Sequence, residues 1–151
     1  MLLIYASYSS GTATASERVE KILLAKGIQV TRKLVSLVGV QEVDQFDCVI
    51  FASPSWMVNS KEGQPHEFYQ KFFNNAASLS LAGKKVAVLG LGDTSYMTFC
   101  GAVDVLEAFV KEHHGTLIVP SLKVDGFYYD QQTNMKLVED WANTLAAQLA
   151  T

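Results

Sequence analysis

Hydroxyl-bearing residues crowd one short segment near the start of the chain, between a first apolar run and a predicted helix. Residues 7–14 contain three Ser, two Thr and one Gly. Hydroxyl groups and backbone N–H groups at the positive end of a helix dipole favour a bound phosphate. The segment has no Lys or Arg, so it lacks the triphosphate-binding pattern GxxxxGK[ST]. We therefore expect a cradle for one phosphate, with a Ser/Thr capping loop that binds nothing as the alternative.

A glycine-containing segment with an aromatic residue in a predicted loop follows another apolar run, residues 86–89. Residues 90–104 begin Gly-Leu-Gly-Asp and include Tyr96. Ligands of open parallel sheets bind at the carboxyl ends of strands. Gly90 and Gly92 would let the backbone approach a ligand closely and adopt positive φ. A core gives no reason for an aromatic ring in a loop, so we interpret Tyr96 as a ring that stacks on a flat ligand.

A third segment, residues 53–60, places Ser55 and Trp56 directly after a predicted strand. Taken alone, Trp56 is better explained as a lid over the core than as a ligand contact. Beside a phosphate cradle and Tyr96 on neighbouring loops, it completes a pocket of a specific kind. The three segments together predict a site for a flat aromatic ring system with a phosphorylated tail.

The elements that must hold these segments alternate between strand and helix. Apolar runs and periodicity predict five strands and four or five helices, with no repeat and no linker. The strands are predicted at residues 2–7, 28–34, 48–52, 86–89 and 117–124, and the helices at 17–26, 65–73, 103–110 and 138–149. This alternation predicts a parallel sheet covered on both faces, and residues 1–151 are expected to form a single domain.

Composition narrows the classes of partner. Hydrophobic residues make up 49% of the chain and the net charge is −3, which argues against nucleic acid as a partner. No apolar run reaches membrane-spanning length, and the first residues lack the pattern of a signal peptide. Cys48 and Cys100 have no paired spacing, as expected of free thiols in the cytoplasm. We also expect a monomer without membrane contact.

At these residues the chain resembles the flavodoxin family. Residues 90–104 are similar to the family's third flavin loop, and residues 9–13 are similar to its phosphate loop. Ser55-Trp56 resembles the loop that places an aromatic ring on the inner flavin face. The resemblance covers the whole chain and is of the short-chain type. It implies a flavodoxin-like three-layer α/β sandwich, a five-stranded parallel sheet of order 2-1-3-4-5, bound FMN, and one-electron transfer between redox partner proteins.

The resemblance also implies roles for particular residues. Trp56 and Tyr96 would sandwich the isoalloxazine ring, and backbone amides near Asp93 and Cys100 would hold its pyrimidine end. No catalytic residue and no metal ligand is expected. The predicted cofactor-binding residues are Ser9, Ser10, Gly11, Thr12, Ala13, Thr14, Ser55, Trp56, Met57, Gly90, Gly92, Asp93, Tyr96, Phe99 and Cys100.

The chain departs from the family pattern around Trp56. Met57 stands where the family usually has a Gly whose peptide turns when the flavin is reduced, and Val58 and Asn59 stand where acids are common. These departures leave two alternatives open, a flavin reductase and an FMN-binding module without a shuttle role. Outside the site, His66 is interpreted as a solvated histidine and Trp141 as a core residue.

Overall fold

A parallel sheet forms the middle layer of the computed structural model, which describes residues 1–151. Alternate residues of its central strands point to opposite faces, and both faces are buried, which explains why these strands are continuously apolar. A separate two-stranded antiparallel hairpin lies beside the sheet. The strands are β1 (Leu2–Tyr5), β2 (Thr31–Leu34), β3 (Cys48–Pro54), β4 (Trp56–Val58), β5 (Lys61–Gln64), β6 (Lys85–Gly92), β7 (Thr116–Leu117) and β8 (Leu122–Asp125).

The strand order confirms the predicted 2-1-3-4-5 sheet. β2 pairs with β1, β1 with β3, and β3 with β6, all in parallel. β7 and β8 both pair in parallel with β6, at Lys85↔Thr116 and Leu89↔Leu122, so together they form one interrupted fifth strand. The interruption contains Pro120, whose nitrogen has no hydrogen to donate to the ladder.

Helices cover both faces of the sheet and complete the three layers. On one face, two helices enclose a core that includes Leu3, Ile50 and Leu89, and on the other face two helices enclose Ile4, Phe51 and Val88. The first pair is α1 (Gly11–Ala25) and α4 (Gln131–Leu149), the second is α2 (Phe68–Asn74) and α3 (Gly101–Glu112), and short 3-10 helices occupy Val35–Leu37 and Val40–Gln45. None of these helices combines the length and apolar character needed to cross a membrane.

Several element boundaries differ from the predictions at the edge that carries the ligand-binding segments. α1 begins at Gly11 rather than at residue 17, because residues 11–16 are only Gly, Thr, Ala and Ser and give no apolar periodicity. β6 continues through Gly92, so Gly90 and Gly92 belong to a strand rather than a loop. Residues 56–64 form the β4–β5 hairpin instead of an irregular loop. Trp141 is a core residue as predicted, and its Nε1 donates to the Pro120 carbonyl at 2.9 Å.

Candidate functional site

Four segments meet at the carboxyl edge of the sheet and enclose a cleft of about 280 Å³. They are loop 1 (residues 6–10), loop 2 (residues 55–67, which contains the hairpin), loop 3 (residues 93–100) and loop 4 (residues 126–130). Loops 1 and 2 follow β1 and β3, between which the direction of strand winding reverses, and this switch point is the usual ligand site of such sheets.

The cleft gathers about half of the predicted site residues. Those that line it are Ser9, Gly11, Thr12, Ser55, Trp56, Gly92, Asp93 and Tyr96. The other predicted residues lie outside the lining, and they are Ser10, Ala13, Thr14, Met57, Gly90, Phe99 and Cys100. Gly90 and Cys100 are buried, whereas Met57 is exposed on the hairpin.

At one end of the cleft, the N-terminus of α1 offers unused backbone donors. The N–H groups of Gly11 and Thr12 make no hydrogen bond within the protein, as is usual in the first turn of a helix. The Ala13 N–H donates to Ser7 Oγ at 3.4 Å, and the Thr14 N–H closes the first turn on the Ser10 carbonyl at 2.9 Å. The first turn contains no acidic residue. This end therefore has the donors and the dipole of an anion site.

The glycines at the site do not have the backbone conformation that was predicted for them. Neither Gly11, Gly90 nor Gly92 has positive φ; in loop 1 the left-handed residue is Ser10, at φ 66°. A Cβ at Gly90 would lie 2.3 Å from Val103 Cγ2, and one at Gly92 would lie 2.7 Å from Cys100 Sγ. These two glycines therefore allow β6 to pack closely against loop 3 and α3, and the expectation of positive φ there was wrong.

Loop 3 is a hydrogen-bonded turn that leaves Tyr96 58% exposed at the cleft. The Asp93 Oδ1 accepts from the Ser95 hydroxyl at 2.6 Å and from the Ser95 N–H at 2.8 Å, and these bonds lower the pKa of Asp93. The Thr94 N–H and hydroxyl donate to Asp125 at 2.9 and 2.8 Å. These hydrogen bonds of Thr94 and Ser95 hold the turn in one conformation.

Cys100 ends loop 3 as a packing residue. Its side chain is fully buried, and its backbone is left-handed at φ 49°. Burial raises the pKa of the Cys100 thiol to about 12. A thiol in this state is not a nucleophile at neutral pH.

Loop 2 presents Trp56, which is 52% exposed, at the other end of the cleft. Ser55 anchors the hairpin: its N–H donates to the Leu91 carbonyl at 2.8 Å, and its Oγ accepts from the Ala102 N–H at 3.0 Å. Asn59 and Ser60 form the hairpin turn with φ 52° and 61°. Met57 has an extended backbone, so the left-handed positions lie two and three residues beyond it.

Two residues that the sequence interpretation did not assign to the site support Trp56. The Tyr8 ring lies 5.2 Å from the Trp56 ring and 3.9 Å from the His66 ring, centroid to centroid. His66 is 4% exposed, so the expectation of a solvated histidine was wrong. The backbone N–H of His66 donates to Ser53 Oγ at 2.9 Å, and the ring Nδ1 accepts from the backbone N–H of Phe68 at 3.1 Å. Desolvation lowers the pKa of His66.

Loop 4 also lines the cleft and was not predicted to do so. Phe127, Tyr128 and Tyr129 face the cleft together with Gly126. The Tyr128 hydroxyl donates to the Ser9 carbonyl at 2.7 Å, and the Tyr129 hydroxyl donates to Asp93 Oδ2 at 3.3 Å. Tyr96 was assigned to the site because it is an aromatic residue in a loop that follows a strand. The same reasoning applies to Tyr8, Phe127, Tyr128 and Tyr129.

The fold and the cleft define a doubly wound α/β protein with a ligand site at its switch point, which has an anion-binding helix terminus at one end and aromatic rings at the other. The sequence model of the family described as Flavodoxin matches residues 3–141. The chain belongs to the flavodoxin family, as the sequence predicted.

Individual relatives agree with this assignment. The flavodoxin of Maridesulfovibrio salexigens is 34% identical over 126 residues, which cover 83% of this chain and 85% of that protein. The crystal structure of oxidised flavodoxin 2 from Bacillus cereus has 26% identity and a TM-score of 0.87, with 97% of both chains covered. The Fusobacterium nucleatum flavodoxin bound to flavin mononucleotide shares the fold at 20% identity, with a TM-score of 0.82 and coverage of 97% and 96%.

Proposed function

We propose that this member of the flavodoxin family binds FMN in the cleft and carries electrons one at a time between redox proteins. The observation that carries the proposal is the pairing of two chemistries in one cleft. Free N–H groups of Gly11 and Thr12 stand at one end, and the exposed rings of Trp56 and Tyr96 line the rest. FMN has a phosphate and a flat ring system that match these two ends.

At the phosphate end, the cleft offers only uncharged hydrogen-bond donors, which suits a single phosphate group. The N–H groups of Gly11 and Thr12 and the hydroxyls of Ser9 and Thr12 would hold the phosphate, and the dipole of α1 would balance part of its charge. No Lys or Arg lies in residues 7–14, which suits one phosphate rather than two or three.

The ring end fits a flat, weakly polar ligand. Trp56 and Tyr96 supply stacking surfaces, and Tyr8, which stacks on His66, packs against the Trp56 ring. When bound, FMN supplies the one-electron redox chemistry. The side chains of Trp56 and Tyr96 would orient the ring and exclude water from its faces.

Flavodoxins are electron carriers rather than enzymes, so no catalytic residue is assigned and the reductase alternative is not carried further. Members of the family exchange electrons with redox proteins. For this chain we propose a reductase as the electron donor and an enzyme as the electron acceptor. A cytoplasmic location suits the free, buried thiols of Cys48 and Cys100. One domain, a monomer and no nucleic-acid partner remain predictions.

The test is to identify the bound flavin and then to measure which reductant reduces it. The purified protein, reconstituted with flavin if needed, should show a structured flavin absorption spectrum, and acid release followed by chromatography should yield FMN. Recovery of FAD, or no flavin affinity after reconstitution, would contradict the proposal. In stopped-flow mixing, NADPH alone should reduce the holoprotein slowly, whereas addition of a flavodoxin reductase should accelerate reduction. Fast reduction by NADPH alone would instead establish a reductase.

A further inference from the structure

Loop 4 contains three consecutive aromatic residues, Phe127 to Tyr129, and its backbone is firmly held. The side chain of Asn134, which is buried, donates from Nδ2 to the carbonyls of Asp125, Gly126 and Phe127 at 3.1, 3.0 and 3.3 Å. The Gly126 N–H donates to the Gly92 carbonyl at 2.9 Å. A loop with this many backbone anchors presents its side chains in fixed positions.

Tyr128 lies across the turn that starts α1. Its hydroxyl donates to the Ser9 carbonyl at 2.7 Å. A Cβ at Gly11 would lie 3.4 Å from Tyr128 Cε2 and 3.5 Å from Phe127 Cδ1, so both rings pack against the first residue of α1. Tyr128 remains 51% exposed and lines the cleft. It therefore forms a wall of the cleft on the loop 4 side of the free N–H groups of Gly11 and Thr12.

Carboxylates lie on the same side of the cleft. Tyr129, the next residue, donates to Asp93 Oδ2 at 3.3 Å, and Asp125, which precedes loop 4, accepts from Thr94. The hydrogen bonds from Ser95 lower the pKa of Asp93, so this group is charged at neutral pH. A second phosphate that left the cradle past Tyr128 would approach these negative charges.

We propose that Tyr128 determines cofactor specificity by closing the side of the phosphate cradle, so that the cleft accepts a flavin ending in one phosphate and rejects a flavin dinucleotide. The inference rests on the proposed function and deepens it. A terminal phosphate monoester needs no path out of the cradle. A dinucleotide such as FAD carries its diphosphate and adenosine beyond this point and must displace the Tyr128 ring and its bond to Ser9.

The experiment is a fluorescence titration of the apoprotein with FMN, FAD and riboflavin. The variants are Tyr128→Ala, Tyr128→Phe and, as a control at an exposed position outside the cleft, Gln132→Ala. Tyr128→Ala should lower the preference for FMN over FAD by about tenfold or more, because it opens the wall. Tyr128→Phe retains the ring and should retain most of the preference. Gln132→Ala should leave the affinities for FMN and FAD, and therefore their ratio, as in the parent.

Riboflavin, which has no phosphate, separates specificity from general damage. Its affinity should be nearly the same in the parent and in Tyr128→Ala. An unchanged FMN-to-FAD ratio in Tyr128→Ala, or an equal loss for all three flavins, would overturn this inference and leave the proposed function standing. A parent protein that binds none of the three flavins would overturn the proposed function itself.

Discussion

The two ends of the cleft differ in how firmly the protein holds them. At the phosphate end, the turn before α1 is packed under Leu91, Phe127 and Tyr128 and bonded through the Ser9 carbonyl. At the ring end, Trp56 and Met57 lie on an exposed hairpin, and Met97 in loop 3 is 98% exposed. One end is closely packed before any ligand arrives, whereas at the other end large side chains project into solvent from an anchored backbone.

This difference predicts that the two ends of the cleft contribute differently to cofactor binding and to its redox properties. A rigid site contributes affinity efficiently because little conformational entropy is lost on binding. Exposed, adjustable side chains contribute less affinity, but their identity determines the electrostatic surroundings of the ring and the surface offered to a partner. Substitutions at the phosphate end should therefore act on binding, and substitutions at the ring end should act more on potential and fluorescence.

The largest effect is expected from Gly11→Val at the phosphate end. Even a Cβ at this position would lie 3.1 Å from Leu91 Cδ2, and two further methyl groups must displace the packed rings. Relief of this overpacking should shift the turn that carries the N–H groups of Gly11 and Thr12, so we expect the Kd for FMN to rise by about 5- to 150-fold, equivalent to roughly 1–3 kcal/mol. Calorimetric titration should show a much smaller loss for riboflavin. Equal losses for both ligands would indicate misfolding rather than a damaged cradle.

Tyr96→Ala tests the ring end. Loss of one stacking surface should weaken FMN binding by on the order of 1–3 kcal/mol, by analogy with base–aromatic stacking, and should raise the fluorescence of the bound flavin. Tyr96→Phe, which retains the ring, serves as the matched control and should quench like the parent. If Tyr96→Ala binds and quenches normally, this ring does not contact the flavin.

Val58→Asp tests whether the hairpin sets the reduction potential. A carboxylate about 8 Å from a negatively charged ring costs up to ~2 kcal/mol at an effective dielectric near 20, and less near solvent. The second one-electron step should therefore become more negative by on the order of 50–100 mV. Ser80→Asp, an exposed position before β6 at the opposite edge of the sheet, is the matched control. Spectroelectrochemical titration measures the second potential of each variant. If Val58→Asp and Ser80→Asp shift this potential equally, net charge rather than position determines it.

A pair of serine-to-glycine substitutions compares backbone strain at the two ends. Ser10 and Ser60 both have left-handed backbones, at φ 66° and 61°. Such a conformation costs a non-glycine residue roughly 1–2 kcal/mol, partly offset by the greater chain entropy of glycine in the unfolded state. Each substitution should raise the free energy of unfolding by up to about 1 kcal/mol in urea titrations. A loss of stability on Ser10→Gly would show that its side chain contributes more than the strain removes.

The smallest effect is expected from pH at His66. Its pKa is lowered from 6.5 by burial, so the unfolded chain takes up a proton before the folded protein does. The free energy of unfolding should therefore fall as pH drops below about 6.5, and the loss should be complete below the folded pKa. His66→Asn offers Oδ1 as the acceptor for the Phe68 N–H without titrating. Urea unfolding at about pH 7.5 and about pH 5.5 should show a smaller difference for this variant than for the parent; an equal difference would contradict the assignment.

The sequence predicted the parts of this protein that depend on long apolar runs and on side-chain type. β3 and β6 were recognisable because both of their faces are buried, and Trp56 and Tyr96 because aromatic rings at strand ends are unusual. The start of α1 was predicted too late because Ser, Thr and Ala carry no periodic signal there.

Residues that act through distant contacts were harder to predict. Gly90 is required by Val103, thirteen residues later in the chain, and Tyr128 acts on Ser9 through a hydrogen bond that joins opposite ends of the sequence. His66 gives no sequence signal of its burial, because the burial comes from Tyr8 and Phe68 stacking on its ring. Local pattern thus identified the elements, while packing between loops determined which residues line the cleft.

The interrupted fifth strand has a colloidal consequence. Exposed sheet edges are templates for pairing between molecules, and proteins limit this risk with short edge strands, proline and charged side chains. Here one edge is divided into strands of two and four residues with Pro120 between them, and Lys123 lies in the second. The opposite edge, β2, has four residues and contains Arg32 and Lys33. Neither edge offers a long, flat ladder to a second copy, so the protein should tolerate high concentration without fibril formation.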